Sequence, residues 1–325
     1  MKQSSNPIAV RNIHQFSSVL IPLRVVAALL VLGAASYARA ADAPAAAQPE
    51  KPAPLPLHQI EGSGGIFSTL SAYVVNPPRS GEPAGRPAVG FAYVHLGNGR
   101  ALEAFTLTET PWKQLELGYA SDGLDLGDLP QDIERDTTVR LRERSVRLSV
   151  FSARLQLVSE NDSVPALTLG AHYKTNAGIN RIDDDLGGVL RASGIAKDNG
   201  VDYTLYASKL LKSLPAPVLL NAGIRVTKGA HVGLLGFTDK YKYVFEGNAV
   251  VFVTGQLALA AEYRQKPNEY RPIGRLLRSE ADWWTLDAAY VVNSHFTVAA
   301  GYGHFGDVLN HAANGVWGIT NKFEF

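Results

Sequence analysis

Run after run of this chain alternates apolar and polar residues with a period of two, and that alternation limits what it can fold into more than any other feature. In Gln256 to Arg264, Leu257, Leu259, Ala261 and Tyr263 share one face, while Gln256, Glu262 and Arg264 share the other. Val218 to Thr227 sets Val218, Leu220, Ala222, Ile224 and Val226 against Asn221, Arg225 and Thr227. A repeat of two is that of an extended strand with two chemically different faces. About twelve such runs follow one another: 89–96, 100–108, 113–120, 145–157, 166–175, 202–211, 217–227, 243–253, 256–265, 282–292, 295–302 and 315–325.

The connections carry a second pattern. Those at 109–112, 158–165, 212–216, 254–255 and 293–294 are short, and they alternate with long ones at 121–144, 176–201, 228–242, 266–281 and 303–314. Only Gly97-Asn98-Gly99 is short on the long side. Soluble antiparallel sandwiches also alternate polar and apolar residues, but they give no reason for every second loop to be long. A transmembrane barrel does, because its periplasmic turns are tight and its outer loops are free to grow. Its strands need roughly 9 to 11 residues to cross, and closure leaves no unpaired edge in hydrocarbon. The fold class expected is therefore all-β, an antiparallel transmembrane β-barrel of about 12 strands over residues 89–325. A mean hydropathy of −0.03 fits, since two opposed faces cancel in the mean. It also excludes a bundle of apolar transmembrane helices.

Residues 1–40 hold Lys2, Arg11, Arg24 and Arg39 without an acidic residue, then an apolar stretch from Val25 to Ala35, and end on Ala38-Arg39-Ala40. Basic start, apolar core and small-x-small cleavage site make a secretory signal peptide. Its removal turns the formal charge of +1 into −3, so no basic surplus exists for nucleic acid. Residues 41–60 read as an Ala/Pro-rich periplasmic linker with Pro44, Pro49, Pro52, Pro54 and Pro56. Folded structure is expected from about Glu61. The Gly/Pro-rich segment 61–88 would pack at the periplasmic mouth or in the lumen. The absence of cysteine excludes disulfides and thiolate chemistry and suits an oxidising export route.

The chain ends on an amphipathic strand in which Trp317, Ile319, Phe323 and Phe325 share a face, with Asn321 a weak point in that row. A terminal Phe on such a strand resembles the signal that delivers outer-membrane barrels to the barrel assembly machinery. Tyr119, Tyr173, Tyr203, Tyr263, Trp284, Tyr290 and Tyr302 lie mostly near strand ends, where aromatic girdles belong.

Several segments in order look like one family: Gly170-Ala171-His172-Tyr173-Lys174, Ala207-Ser208-Lys209, Asn221 through Lys228, Gly233-Leu234-Leu235-Gly236-Phe237, Phe245-Glu246-Gly247, Ala261 through Pro267, and Asp282-Trp283. Together they resemble the Gram-negative envelope family domain of unknown function 3034, over roughly residues 62–325 and most sharply over 166–290. Gly64-Gly65-Ile66-Phe67 resembles its Gly-rich opening more loosely. The resemblance implies the barrel and brings no activity, cofactor or site residues.

On the polar phase fall Glu116, Arg154, Lys174, Arg225, Glu246, Glu262, Arg264, Asp287, Lys322 and Glu324, with Glu103 beside them. These are the lumen-facing candidates. Strand 145–157 shifts phase near Val150-Phe151, which suggests a bulge. Balanced lumen charge predicts weak ion selectivity, and pairing across a twelve-stranded interior favours a narrow or occluded pore over an open one. The leading expectation is a small-solute channel or transport-associated barrel, then a structural or interaction barrel with a blocked lumen, then an outer-membrane lipid enzyme. Ser208, His172 and Asn221 supply residue types for hydrolysis, but nothing in their spacing brings them together, so no catalysis is expected. His304, Asp307 and His311, and Asp183-Asp184-Asp185, have metal-binding residue types without a ligand spacing; no metal or cofactor is expected. Tyr241, Lys242 and Tyr243, with Arg264, Lys266, Arg271, Arg275 and Arg278, place cations near the outer rim. Outer-membrane lipid and lipopolysaccharide are the expected partners there.

Overall fold

A computed structural model describes residues 57–266, 281–308 and 311–325. The signal-peptide and linker assignments through residue 56, and Arg271, Arg275 and Arg278, lie outside the described residues. Two short strands come first, β1 (Leu57–Gln59) and β2 (Ser63–Gly65), paired with each other. The wall then runs through β3 (Ala88–Gly97), β4 (Arg100–Trp112), β5 (Leu115–Asp125), β6 (Ser145–Val158) and β7 (Ala166–Ala177). After the short β8 (Ile195–Lys197), it continues through β9 (Asn199–Leu211), β10 (Val218–Gly229), β11 (Phe237–Phe252) and β12 (Leu257–Arg264). It ends with β13 (Trp283–Val291), β14 (Phe296–Val308) and β15 (His311–Glu324).

Each wall strand pairs antiparallel with its sequence neighbour in the wall, and β15 returns to β3 from Trp317↔His95 to Glu324↔Ala88. The result is a closed barrel of twelve antiparallel strands. Closure is what a lipid-facing sheet requires, since no edge is left with unpaired amides. The outer wall is apolar: Phe91, Phe151, Leu169, Ile224, Phe245 and Ile319 are all about half exposed. So many large apolar side chains facing outward on one continuous surface mark a membrane interface. Trp317, Ile319, Phe323 and Phe325 stand on this wall as well.

The structure corrects several expectations. β6 is unbroken at Val150-Phe151; its even-numbered residues point inward from Val146 to Gln156, and its irregularity falls at Gln156/Val158. The apparent phase shift is a change in what the interior demands: Val146, Leu148 and Val150 meet an apolar interior, whereas Ser152, Arg154 and Gln156 meet a polar one. Glu103 lies on the outer face of β4, because the inward residues there are Leu102, Ala104, Thr106 and Thr108. The long connections are also built rather than merely coiled. They contain α1 (Leu129–Thr137), α2 (Ile179–Asp185) and α3 (Val189–Ser193), with β8 pairing onto the start of β11. Helices this short carry too few apolar residues to show a 3.6-residue stripe. The last long connection is mostly strand: β14 runs to Val308 and β15 starts at His311, with register breaks between Gly303 and Asp307 hiding the alternation. Folded structure begins by Leu57 rather than Glu61, because Leu57-His58-Gln59 pairs with Ser63-Gly64-Gly65.

A closed barrel with an apolar wall predicts β-rich circular dichroism in detergent and a gel mobility that changes on boiling. A chain that stays monodisperse without detergent contradicts the wall's assignment to a membrane.

Candidate functional site, an ion-lined lumen and its plug

The first described residues enter the barrel. Segment 58–75 is buried almost throughout, and Ile66 through Ala72 form no wall strand but thread the interior. A turn at Gly62, with φ of +74°, brings the segment against the wall at Gly118. A Cβ at Gly118 would stand 2.1 Å from the Gly62 carbonyl oxygen, so wall and plug both need glycine at this crossing.

All ten lumen-facing candidates point inward and are at most 9% exposed. Most of them hold the plug. The Glu262 carboxylate accepts the backbone N–H groups of Phe67 at 3.1 Å, Ser68 at 3.0 Å and Thr69 at 2.7 Å. It also accepts the Thr285 hydroxyl at 2.9 Å. Three successive amides on one carboxylate fix the bend of the plug as a helix N-terminus would fix an anion. Glu116 accepts the N–H of Gly64 at 3.1 Å and that of Val75 at 2.8 Å, and Arg154 pairs with Glu116 at 2.8 Å. Arg154 also donates to the carbonyls of Gly64, at 3.1 Å, and Ser71.

The centre of the site is Glu61, on the plug between β1 and β2. It pairs with Lys174 of β7 and with Arg225 of β10 at 2.8 Å. Lys174 reaches Asp202 at 2.7 Å, and Arg225 reaches Asp202 at 3.0 Å and Glu246 at 2.7 Å. Arg264 pairs with Glu246 at 2.6 Å. Three acids (Glu61, Asp202, Glu246) thus face three bases (Lys174, Arg225, Arg264), all buried, drawn from five wall strands and the plug. Burial by itself raises the Glu61 carboxyl, but Arg225, Lys174 and Arg264 outweigh it and hold it well below the ordinary carboxylate range. Lys322 pairs with Glu324 at 2.6 Å, and Asp287 stands 2.8 Å from the same Thr285 hydroxyl, whose one proton the two carboxylates, Glu262 and Asp287, share.

Glu61, Asp202 and Asn248 were not among the sequence candidates. Glu61 lies in a stretch with no period, so no signal pointed to it. Asp202 opens the run 202–211 and shares the inward phase of Thr204, Tyr206 and Ser208, so carrying that phase back to the first residue of the run finds it. Asn248 donates to Thr69 at 2.7 Å and shares its phase with Glu246.

Toward the end that carries the long connections, the interior turns apolar. Ile60 and Phe67 of the plug pack with inward wall residues such as Leu102, Leu124 and Leu148. From above, Leu129 and Ile133 of α1, Ile179 and Ile182 of α2, and Leu234-Leu235 close over them. An apolar cavity of about 40 Å³ remains there, walled by Phe67, Leu102, Trp283 and Phe305 among others. That is room for about one or two waters, with almost no polar lining to hold them.

The remaining candidates are dispersed or otherwise engaged. His172 contacts the Thr204 hydroxyl at 3.2 Å, whereas Ser208 bonds to Asn221 and accepts the Ala72 N–H at 2.6 Å. Ser208 and His172 therefore form no nucleophile–base pair. Asp183 accepts Leu190 N–H at 2.8 Å and Arg191 at 2.8 Å, and Asp185 accepts Arg142 at 2.7 Å, so two of the three acids staple the outer loops together. Among the described residues, no three His, Cys, Asp or Glu side chains converge as metal ligands. Arg264 belongs to the lumen rather than to the outer rim, whereas Tyr241 and Tyr243 are exposed, with Lys228 over the Tyr241 ring at 4.5 Å.

The fold and site define a plugged antiparallel β-barrel. The chain belongs to the family described as Protein of unknown function (DUF3034), whose model matches residues 57–319. No curated protein matches it. Among solved structures, it is similar to the KdgM porin at 10% identity and a TM-score of 0.44, covering 73% of this chain and 99% of that one. It is similar to the NanC porin at 10% and 0.43, covering 74% and 98%. It is also similar to outer membrane phospholipase A from Escherichia coli at 10% and 0.34, covering 73% and 95%. None of these is close enough to carry a function across.

Removing Glu61 leaves Lys174 and Arg225 short of a buried partner, so Glu61→Ala should cost about 3–5 kcal/mol of unfolding free energy in detergent. An unchanged denaturation midpoint would mean that this cluster does not hold the plug. The lowered Glu61 carboxyl also sets a pH dependence. Its stabilisation is complete above the ordinary carboxylate range and fades only as pH falls through the lower folded value. Amide exchange in segment 57–75 should therefore stay slow at mildly acidic pH and rise only under stronger acid.

Proposed function

We propose that the protein is an outer-membrane, transport-associated barrel whose pathway is closed at rest by its own N-terminal plug. The observation that carries this reading is the plug itself. Segment 57–75 is continuous with the N-terminal chain and is held in the lumen by carboxylates and cations on the wall. Buried ion pairs contribute little net stability compared with apolar packing of the same volume, and they serve better to register an element in one position. A lumen filled only for stability would be lined with apolar side chains, as its upper half is. The lower half instead holds a separable segment in a polar socket.

In this reading the end with short turns faces the periplasm and the helical loops face outward. Exposed Tyr203, Tyr241 and Tyr243 with Lys228 meet the lipopolysaccharide head groups at the outer rim, and the terminal strand serves the barrel assembly machinery. The function is not enzymatic and uses no cofactor. Small solutes are the cargo, and passage requires the plug to leave its socket.

Planar-bilayer recording tests the proposal. The native protein should stay closed, whereas Glu116→Gln combined with Glu262→Gln, which weakens the hold on five plug amides, should give discrete conductance steps. Persistent steps from the native protein would contradict a closed resting state. A folded variant that stays silent would favour the structural barrel with a permanently occluded lumen, a reading supported by the apolar layer above the plug.

A further inference from the structure

The outer wall is apolar on most strands but not around β5. The outward residues of β9 are Val201, Tyr203, Leu205 and Ala207, and those of β10 are Leu220, Ala222, Ile224 and Val226. On β4 they are Glu103, Phe105, Leu107 and Glu109. Two outward charges six residues apart span about 20 Å along a strand, and strand tilt shortens that height further. A barrel's apolar band is roughly 25 Å tall, so Glu103 and Glu109 do not both clear it.

The same neighbourhood holds the other polar groups of this wall. Tyr93, Glu103, Gly123 and Arg147 lie in one register row across β3 to β6, with Ser121 and Asn321 just below. Arg147 is exposed, and its one side-chain bond among the described residues is to the Ser121 hydroxyl at 3.0 Å. Glu103 makes no side-chain hydrogen bond or ion pair among the described residues. Small Ser121 and Gly123 leave a groove of about 350 Å³ between the aromatic ridge of Phe91 and Phe105 and the Arg147 side chain. A carboxylate and a guanidinium on a lipid-facing wall, neither with a partner of opposite charge, are costly, and a protein keeps them there when something covers them.

We infer that this groove is the contact face for a second copy of the chain, in a two-fold dimer with its axis close to Gly123. A two-fold interface is isologous, so whatever lies on one side of the axis meets what lies on the other side in the partner. Glu103 and Arg147 stand one strand to either side of Gly123, about 10 Å apart. Turning the patch about that axis sets Glu103 of each copy opposite Arg147 of the partner copy, and both unpaired charges are satisfied at once. One acid and one base placed symmetrically about a small-residue floor form a self-complementary surface. A lipid head group would satisfy Arg147 and leave Glu103 facing a like charge.

The chain has no cysteine, which makes the test direct. Ser121→Cys lies near the proposed axis, and Ala288→Cys, exposed on the outer wall five strands away, is the control. In isolated membranes a short bis-maleimide should couple Ser121→Cys into a covalent dimer and leave Ala288→Cys monomeric. In the Ser121→Cys background, Glu103→Arg should reduce cross-linking to the control level, and Glu103→Arg with Arg147→Glu should restore it. Boiling-dependent gel mobility verifies that each variant is folded. Equal cross-linking at both positions, no loss with Glu103→Arg, or a monomeric mass with retained anionic lipid would each overturn the dimer.

Discussion

The pairing of buried charge inside the barrel is the constraint on which the rest depends. Lys174, Arg225 and Arg264 project from three wall strands into a space where water is excluded, and an unpaired ion there costs several kcal/mol. The wall supplies Asp202 and Glu246, and the third acid, Glu61, arrives only with the plug. Within this network of ion pairs the wall alone has one base more than it has acids, and the inserted segment completes the pairing. Glu116 and Glu262 extend the same logic to backbone, each taking amides of a segment that has no sheet of its own to satisfy them.

That arrangement explains why the interior is layered. Where the plug threads past, the inner wall is polar because the plug's backbone must be satisfied. Above it, where Ile60 and Phe67 present apolar side chains, the wall switches to Val146, Leu148 and Val150, and the helical loops close the top. One strand, β6, crosses both layers, and its composition changes halfway without a change in register. The outer wall carries the opposite requirement throughout, apart from the Glu103–Arg147 patch.

The barrel was legible in the sequence because period two and alternating loop lengths are both direct consequences of membrane closure. All twelve strands lie where the alternation puts them, most with ends shifted by only a few residues. The inward phase of Glu116, Arg225 and Glu262 could be read for the same reason. What escaped was whatever lacked a period. Glu61 and the plug sit in a Gly/Pro-rich stretch whose structure is imposed by the wall, and α1 to α3 are too short to show a stripe. Glu103 reads as inward because it is charged and stands between apolar Leu102 and Ala104, but Phe105 and Leu107 share its phase and face outward, and the interior at that level is apolar. A residue's charge is a weaker guide to its face than the phase of the strand it sits on. At Val150-Phe151 a change in the interior's polarity mimics a break in a strand that is continuous.

The central claim, that the N-terminal segment occupies the lumen, has a direct test in a single disulfide. Ser63 on the plug and Ser152 on the inner wall bring their hydroxyl oxygens to 3.0 Å. In the otherwise cysteine-free chain, Ser63→Cys with Ser152→Cys should form an internal disulfide in nearly all of the folded membrane-inserted protein, read as loss of maleimide labelling under non-reducing conditions. Two free, reactive thiols in a folded barrel would place the segment elsewhere and contradict the account.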